Sequence, residues 1–356
     1  MKKYELVMQW VKNSISDGQL TPGDKLPSET ELISKFNISR NSIRQAINTL
    51  IREEIVESRK GIGTFILRKN SRKSYDIGFV CYQMSSYIFP KIISGCNKII
   101  QKNGYNLIIN ESFYDVDIER QILNNLLNKN VEGLILIPME TREGRNNSDL
   151  LKVFEEKNIP VILLDNYFPE QAFATIALDD FNAGRKAAEF LWEKNHRNIG
   201  VIYSSDYYPK RQRLKGILSY FNERSFPIEA ENIIELENQG SGIKNYRKIK
   251  SSIQYKSTYP TAFVCSSDDE AVILMHCARK LGFDIPKNLS VISFDNSDIS
   301  NFSNPRLTTL NHPSAYMGEL AANLLLSWLN YPEIKMNSKT LINSYVVNRE
   351  SVLKLK

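Results

Sequence analysis

Polar and apolar residues along this chain change their period at two places. Over residues 4–17, Val7, Trp10, Val11 and Ile15 recur at helical spacing before Gly18 and "TPGDK" end the run, which predicts a first helix. In "LPSETEL" (26–32), Glu31 stands three residues beyond Ser28, the spacing at which each side chain satisfies the other's free backbone amide. A second helix is therefore expected through Phe36. Ser39 can cap a third, "RNSIRQAINTLIREE", with Ile43, Ala46, Ile47, Leu50 and Ile51 on one face and Arg40, Asn41 and Arg44 on the other. "IVESRKGIGTFIL" (55–67) then reads as two β-branched runs turning at Lys60, Gly61, Ile62 and Gly63, a hairpin.

From residue 76 onward short β-rich runs alternate with helical patterns: "IGFV", "NLIIN", "GLILIP", "VILLD", "IGVI", "NIIEL", "AFVCS" and "VISF". This rhythm predicts parallel sheets with helices on both faces. It also repeats. "DIGFV" at 76 recurs as "NIGVI" at 198, "GLILI" at 133 as "AFVCS" at 262, and "PVILLDN" at 160 as "SVISFDN" at 290, offsets of 122, 129 and 130. Same order at nearly constant separation implies two similar α/β lobes. In such sheets ligands bind beyond the carboxyl ends of the strands, where Asp165 and Asp295 are placed. Phe89 after the first strand, Arg213 after "IGVIYSSDYYPKRQ" and Asp268 after "FVCSS" join them as candidates. Carboxylates that accept from hydroxyls, a multiply donating arginine and an aromatic ring suit a polyol such as a sugar. Strand-end aspartates are also common turn and cap residues, and Phe89 taken alone reads more readily as core than as ligand platform.

Charge sharpens the division. Of the 356 residues, 46 are Lys or Arg and 40 are Asp or Glu, but residues 1–73 hold fourteen of the former and eight of the latter. The remaining 283 residues balance at 32 of each, so the whole excess of +6 lies in the first fifth. A basic unit of three helices and a glycine hairpin is a winged helix-turn-helix, and its polar helix-three start is of the kind that reads DNA. The candidate contacts are Ser28, Ser39, Arg40, Asn41, Ser42, Arg44, Lys60, Gly61 and Thr64. The boundaries that follow are a DNA-binding domain at 1–67, a basic linker at 68–75 and a two-lobed sensor at 76–356.

Several classes are set aside. The longest apolar runs fall far short of the ~20 residues a spanning helix needs, and the N-terminus lacks a cleavage site, so a cytoplasmic protein without a membrane partner is expected. Cys81, Cys96, Cys265 and Cys277 show no CxxC spacing, and His196, His276 and His312 no HExxH, which leaves no metal set. "GIGTFI" lacks the third glycine of a dinucleotide loop, and no Walker loop or GxSxG elbow occurs. Neither an enzyme nor a cofactor is expected.

"LPSETELISKFNISRNSIRQAINTLIREEIVESRKGIGTFI" resembles the winged-helix domain of GntR-type regulators, which implies that Arg40, Arg44 and Gly61 with its neighbours contact operator DNA. "GLILIP", "HRNIGVI", "RLKG", "SVISFDNS" and "LTTLNHP" resemble the effector domain of LacI/GalR regulators, which shares the fold of periplasmic sugar-binding proteins. That likeness implies effector contacts at Asp165, Arg213, Asp268 and Asp295, with Phe89 as stacking platform. The pairing of the two, with "YIFPKII" at 87–93, is most similar to arabinose-responsive repressors. It implies a homodimeric repressor that leaves its operator when a sugar, L-arabinose, binds.

Overall fold

The computed structural model describes all residues except 1–2, 22, 54, 60–61, 68–73, 86, 142–143, 206, 237–241, 255–258 and 334–337. The chain divides into two compact units, Met1–Ser74 and Tyr75–Lys356. The first contains α1 (Lys3–Ser16), α2 (Glu29–Phe36), α3 (Arg40–Arg52), β1 (Val56–Arg59) and β2 (Gly63–Ile66). The Ser28–Glu31 capping box is present: Ser28 Oγ accepts from the Glu31 amide, and Glu31 accepts from the Ser28 amide at 2.7 Å. Asn37 ends α2 in the left-handed region (φ 50°), which its short polar side chain tolerates. Ser39 then caps α3 by accepting from the Ser42 amide. Val7, Leu32, Ile43, Ala46 and Ile47 form one core cluster, and Val11, Leu26, Leu50, Val56 and Ile66 continue it beneath the antiparallel hairpin.

The second unit holds β3 (Asp76–Cys81), α4 (Phe89–Lys102), β4 (Asn106–Glu111), α5 (Val116–Asn128), β5 (Gly133–Leu136), α6 (Ser148–Glu156), β6 (Val161–Leu164) and β7 (Ala174–Leu178) in its first lobe. The second lobe follows with α7 (Asp180–Glu193), β8 (Ile199–Ser204), α8 (Tyr208–Asn222), β9 (Ile233–Leu236), α9 (Gly242–Gln254), β10 (Ala262–Cys265), α10 (Asp268–Lys280), β11 (Ser290–Asp295), α11 (Asp298–Phe302) and β12 (Thr308–Asn311). The chain then crosses back through α12 (Ser314–Asn330) to β13 (Lys339–Ile342) in the first sheet and again to β14 (Val346–Val347) in the second. The two sheets run β4-β3-β5-β6-β7-β13 and β9-β8-β10-β11-β12-β14, strand for strand the same order. The doubly covered two-lobed α/β architecture read from the repeat is therefore the architecture observed.

Central strands β5, β6 and β10 are buried at every position, as parallel strands covered on both faces must be. All eight β-rich runs become strands. β7, β12, β13 and β14 were not anticipated; β13 and β14 are edge strands, mostly exposed or half-buried, whose residues carry little pattern.

Three connections join the lobes, and backbone bonds tie them together: the Asp179 amide donates to Ile342 O (2.9 Å) and the Asn311 amide to Tyr345 O (2.9 Å). In the second lobe α7 and α8 cross at two glycines. A Cβ at Gly184 would lie 2.1 Å from Arg213 O, and one at Gly216 2.0 Å from Phe181 O. Gly95 and Gly318 repeat this at the α4–α12 crossing of the first lobe. Among the described residues no helix is long and apolar enough to cross a membrane.

Candidate functional site

The carboxyl ends of the strands of both lobes converge on a cavity of about 360 Å³, within the size range of small-molecule sites. Asp165, just past β6, and Asp295, the last residue of β11, both line it, and both take positive φ (65° and 103°). Aspartate tolerates such conformations better than most non-glycine residues, and its partners hold it there. Here the partners are plain. Asp165 accepts from His312 Nε2 (2.8 Å) and from the Tyr207 hydroxyl (2.6 Å). Asp295 accepts from Arg213 (3.1 Å) and from the Tyr87 hydroxyl (2.7 Å).

Arg213, on the second turn of α8, is 4% exposed. Besides Asp295 it donates to Asp180 (2.7 Å) and to Ser266 O (2.7 Å), and its guanidinium lies 4.6 Å from the centre of the Phe294 ring. Burial opposes its charge, but Asp180 and Asp295 outweigh that and raise its pKa, so it remains a cation. Burial likewise opposes the Asp165 carboxylate. The charge and hydrogen bond of His312 together with the Tyr207 hydroxyl overcome it and lower the pKa, while the His312 pKa is raised by the same contact against its own burial.

Three predicted residues, Asp165, Arg213 and Asp295, thus meet at one cavity. Phe89 also reaches the wall, but its ring is 1% exposed and packs edge-on against Tyr82 (centroids 4.9 Å), so it backs the wall instead of offering a face. Asp268 is not brought to the cavity. It is fully buried and accepts from Ser293 Oγ, the Ser297 amide and hydroxyl (2.7 Å each) and Thr309 Oγ1 (2.8 Å), a strut joining α10, β11 and β12. Its neighbour Asp269 lines the cavity, with burial and then the charge of Asp295 pushing its pKa up to about 6.

Tyr82, Tyr87, Tyr114, Tyr207, Lys210, Asp269 and Glu270 also line the wall and escaped the sequence reading, as did His312 behind Asp165. One signal was available for two of them. Tyr87 and Tyr207 stand three and two residues ahead of a proline that opens a helix, "YIFP" and "YYP", each after the first strand of its lobe.

In the N-terminal unit, Arg40, Asn41 and Arg44 are exposed at the start of α3, and Glu29 of α2 pairs with both arginines (3.6 and 3.1 Å). Ser28 and Ser39 are exposed caps whose hydroxyls hold helix ends. Ser42 and Thr64 are half-buried. Lys60 and Gly61 lie outside the described residues.

Residues 3–66 match the bacterial regulatory proteins of the gntR family, and residues 188–352 match the periplasmic binding protein-like domain. The chain is 29% identical over 332 residues to an arabinose metabolism transcriptional repressor of Halalkalibacterium halodurans, covering 91% of this chain and 88% of that one. A protein of the same description from Geobacillus stearothermophilus is 27% identical over 333 residues, 92% of each chain. Among solved structures, a LacI family transcriptional regulator from Enterococcus faecium with bound ribose superposes with a TM-score of 0.68 at 24% identity, over 79% of this chain and all of that one. A LacI-type regulator from Bacillus cereus gives 0.70 at 21%, over 79% and 99%. At these identities the two structures share the fold.

Proposed function

We propose that this chain, a transcriptional regulator joining a GntR-type N-terminal domain to a periplasmic-binding-protein-like domain, is a cytoplasmic, homodimeric repressor of sugar-utilisation genes that L-arabinose releases from a pseudo-palindromic operator. The observation that carries the effector reading is the convergence of Asp165 and Asp295, one from each lobe, on a single tyrosine-walled cavity. The wall carries four acids (Asp165, Asp269, Glu270, Asp295) against two bases (Lys210, Arg213). That balance repels anions, sugar phosphates included, and suits neutral hydroxyls that donate to carboxylates.

Asp165, Asp295 and Arg213 are assigned as effector contacts, with Asp269 in place of Asp268 and Phe89 behind the aromatic wall. Arg40, Asn41, Ser42, Arg44 and Thr64, with Lys60 and Gly61, are assigned to the operator; Ser28 and Ser39 position them. Lobe closure around the sugar moves the paired sensors and misplaces the heads relative to their half-sites.

The test is isothermal titration with L-arabinose, other pentoses and hexoses, and their phosphates, beside mobility shifts on operator DNA. Arg213→Ala and Asp295→Ala are expected to bind operator and to ignore the sugar. Retained release in either removes that residue from the site, and a preferred ligand other than L-arabinose leaves a regulator of the same architecture with another effector.

A further inference from the structure

Tyr87 and Tyr207 occupy matching places in the two lobes. Tyr87 lies on the loop from β3 into α4, and Tyr207 caps α8, which follows β8, the repeat of β3. The 130 residues between Asp165 and Asp295 are the offset of the internal repeat, and the 120 between the tyrosines are near the 122 that separate β3 and β8. Each hydroxyl crosses the cleft: Tyr87 of the first lobe donates to Asp295 of the second (2.7 Å), and Tyr207 of the second donates to Asp165 of the first (2.6 Å).

We infer that these residues form a reciprocal clasp, two tyrosine hydroxyls positioned to hold the lobes at the spacing in which the effector is bound. Four further observations support it. Both aspartates take positive φ at the strand ends, and one oxygen of each carboxylate accepts from the tyrosine of the other lobe. Each carboxylate also has a cationic partner, His312 for Asp165 and Arg213 for Asp295, so the tyrosine adds a hydrogen bond without having to supply charge. Burial and the facing aspartates raise both phenol pKa values, which keeps the hydroxyls protonated as donors. The Tyr207 ring also packs edge-on against Tyr82 of the first lobe (5.5 Å).

A bond that exists only when the lobes are together favours the closed form in proportion to its strength. Apparent effector affinity scales with the fraction of protein that is closed, so removing a hydroxyl weakens binding. Hydrogen bonds to charged groups are strong enough for about a tenfold effect each.

This inference rests on reading the cavity as the effector site, so the experiment has one arm that needs no effector. Full-length Tyr87→Phe, Tyr207→Phe and the double variant keep both rings. Small-angle scattering of the free proteins is expected to give a larger radius of gyration for the double variant than for wild type, and an unchanged radius overturns the clasp whatever the cavity binds. With L-arabinose, titration is expected to show about tenfold weaker binding for each single variant. Equal or tighter binding overturns the clasp too, since it means that the hydroxyls compete with the sugar for the carboxylates. If wild type binds no sugar while the double variant still expands, the effector reading fails and the clasp stands.

Discussion

Gly184→Ala tests how the fold aims Arg213. The added methyl would sit 2.1 Å from Arg213 O, 2.9 Å from its carbonyl carbon and 3.0 Å from its Cα, whereas ordinary contact begins at 3.4 Å. All three are backbone atoms of a helix, so nothing can rotate aside, and α7 and α8 must part by about 1.3 Å at the crossing. Two effects compete. Alanine in a helix interior is favoured over glycine by about 1 kcal/mol, while overpacking a closed contact costs about 1–3 kcal/mol. The clash is against backbone and lies at the upper end, leaving a net loss of about 1–2 kcal/mol and a fall in Tm of about 2–6 °C for a unit of this size. The larger consequence is functional. Arg213 bridges Asp180, Ser266 O and Asp295 at 2.7, 2.7 and 3.1 Å, and a shift of this size lengthens at least one bond beyond useful reach. Titration with L-arabinose is expected to show affinity lower by on the order of tenfold to a hundredfold. Unchanged melting refutes the packing argument, and a lowered Tm with wild-type sugar affinity refutes the claim that this crossing positions Arg213.

Three other outcomes are open to measurement. Arg40→Ala and Arg44→Ala are each expected to weaken operator binding by about five- to a hundredfold in mobility shifts while leaving helix content unchanged, since both side chains are exposed; normal affinity in both removes α3 from the interface. Glu119, fully buried on α5, accepts from Asn147 (2.9 Å) and the Met139 amide (3.1 Å), yet burial lifts its pKa to about 7. The folded state therefore holds a proton that the unfolded state has released above its ordinary value of 4.5, and this group makes stability fall by up to about 3 kcal/mol from pH 4.5 to 7; urea unfolding of Glu119→Gln is expected to lack that slope, and an identical slope rejects the assignment. In the His312–Asp165 pair the two members have signs opposite to each other. The raised imidazole pKa contributes stability below its unfolded value that is lost as pH rises through the folded one, and the lowered carboxylate pKa contributes above its unfolded value and is lost in acid. Wild type is thus expected to lose stability between mildly acid and alkaline pH through this pair, and a His312→Gln variant that loses as much shows that the pair is not the source.

What the sequence determined by itself was local or periodic. The capping box at Ser28 and Glu31, the apolar face of α3 and the glycine-bearing hairpin are fixed by neighbours within a few residues, so the winged helix was legible whole. The echo between residues 76 and 198, 133 and 262, and 160 and 290 revealed two similar lobes, because strands buried on both faces must be continuously apolar wherever they recur, while the strand order within each sheet came from the tertiary structure. The echo also placed Asp165 and Asp295 at the strand ends that face the cavity. Tertiary structure alone decided between Asp268 and Asp269. Consecutive residues at a helix start point in different directions, and the hydroxyls of Ser293, Ser297 and Thr309, which turn Asp268 inward, come from positions 25 to 41 residues away. The same holds for Tyr87, Tyr207 and His312, whose partners lie 208, 42 and 147 residues distant. A hydrogen bond across a cleft leaves no mark on the hydrophobic period of either strand, so the pattern reveals the lobes while only their closure reveals which side chains meet.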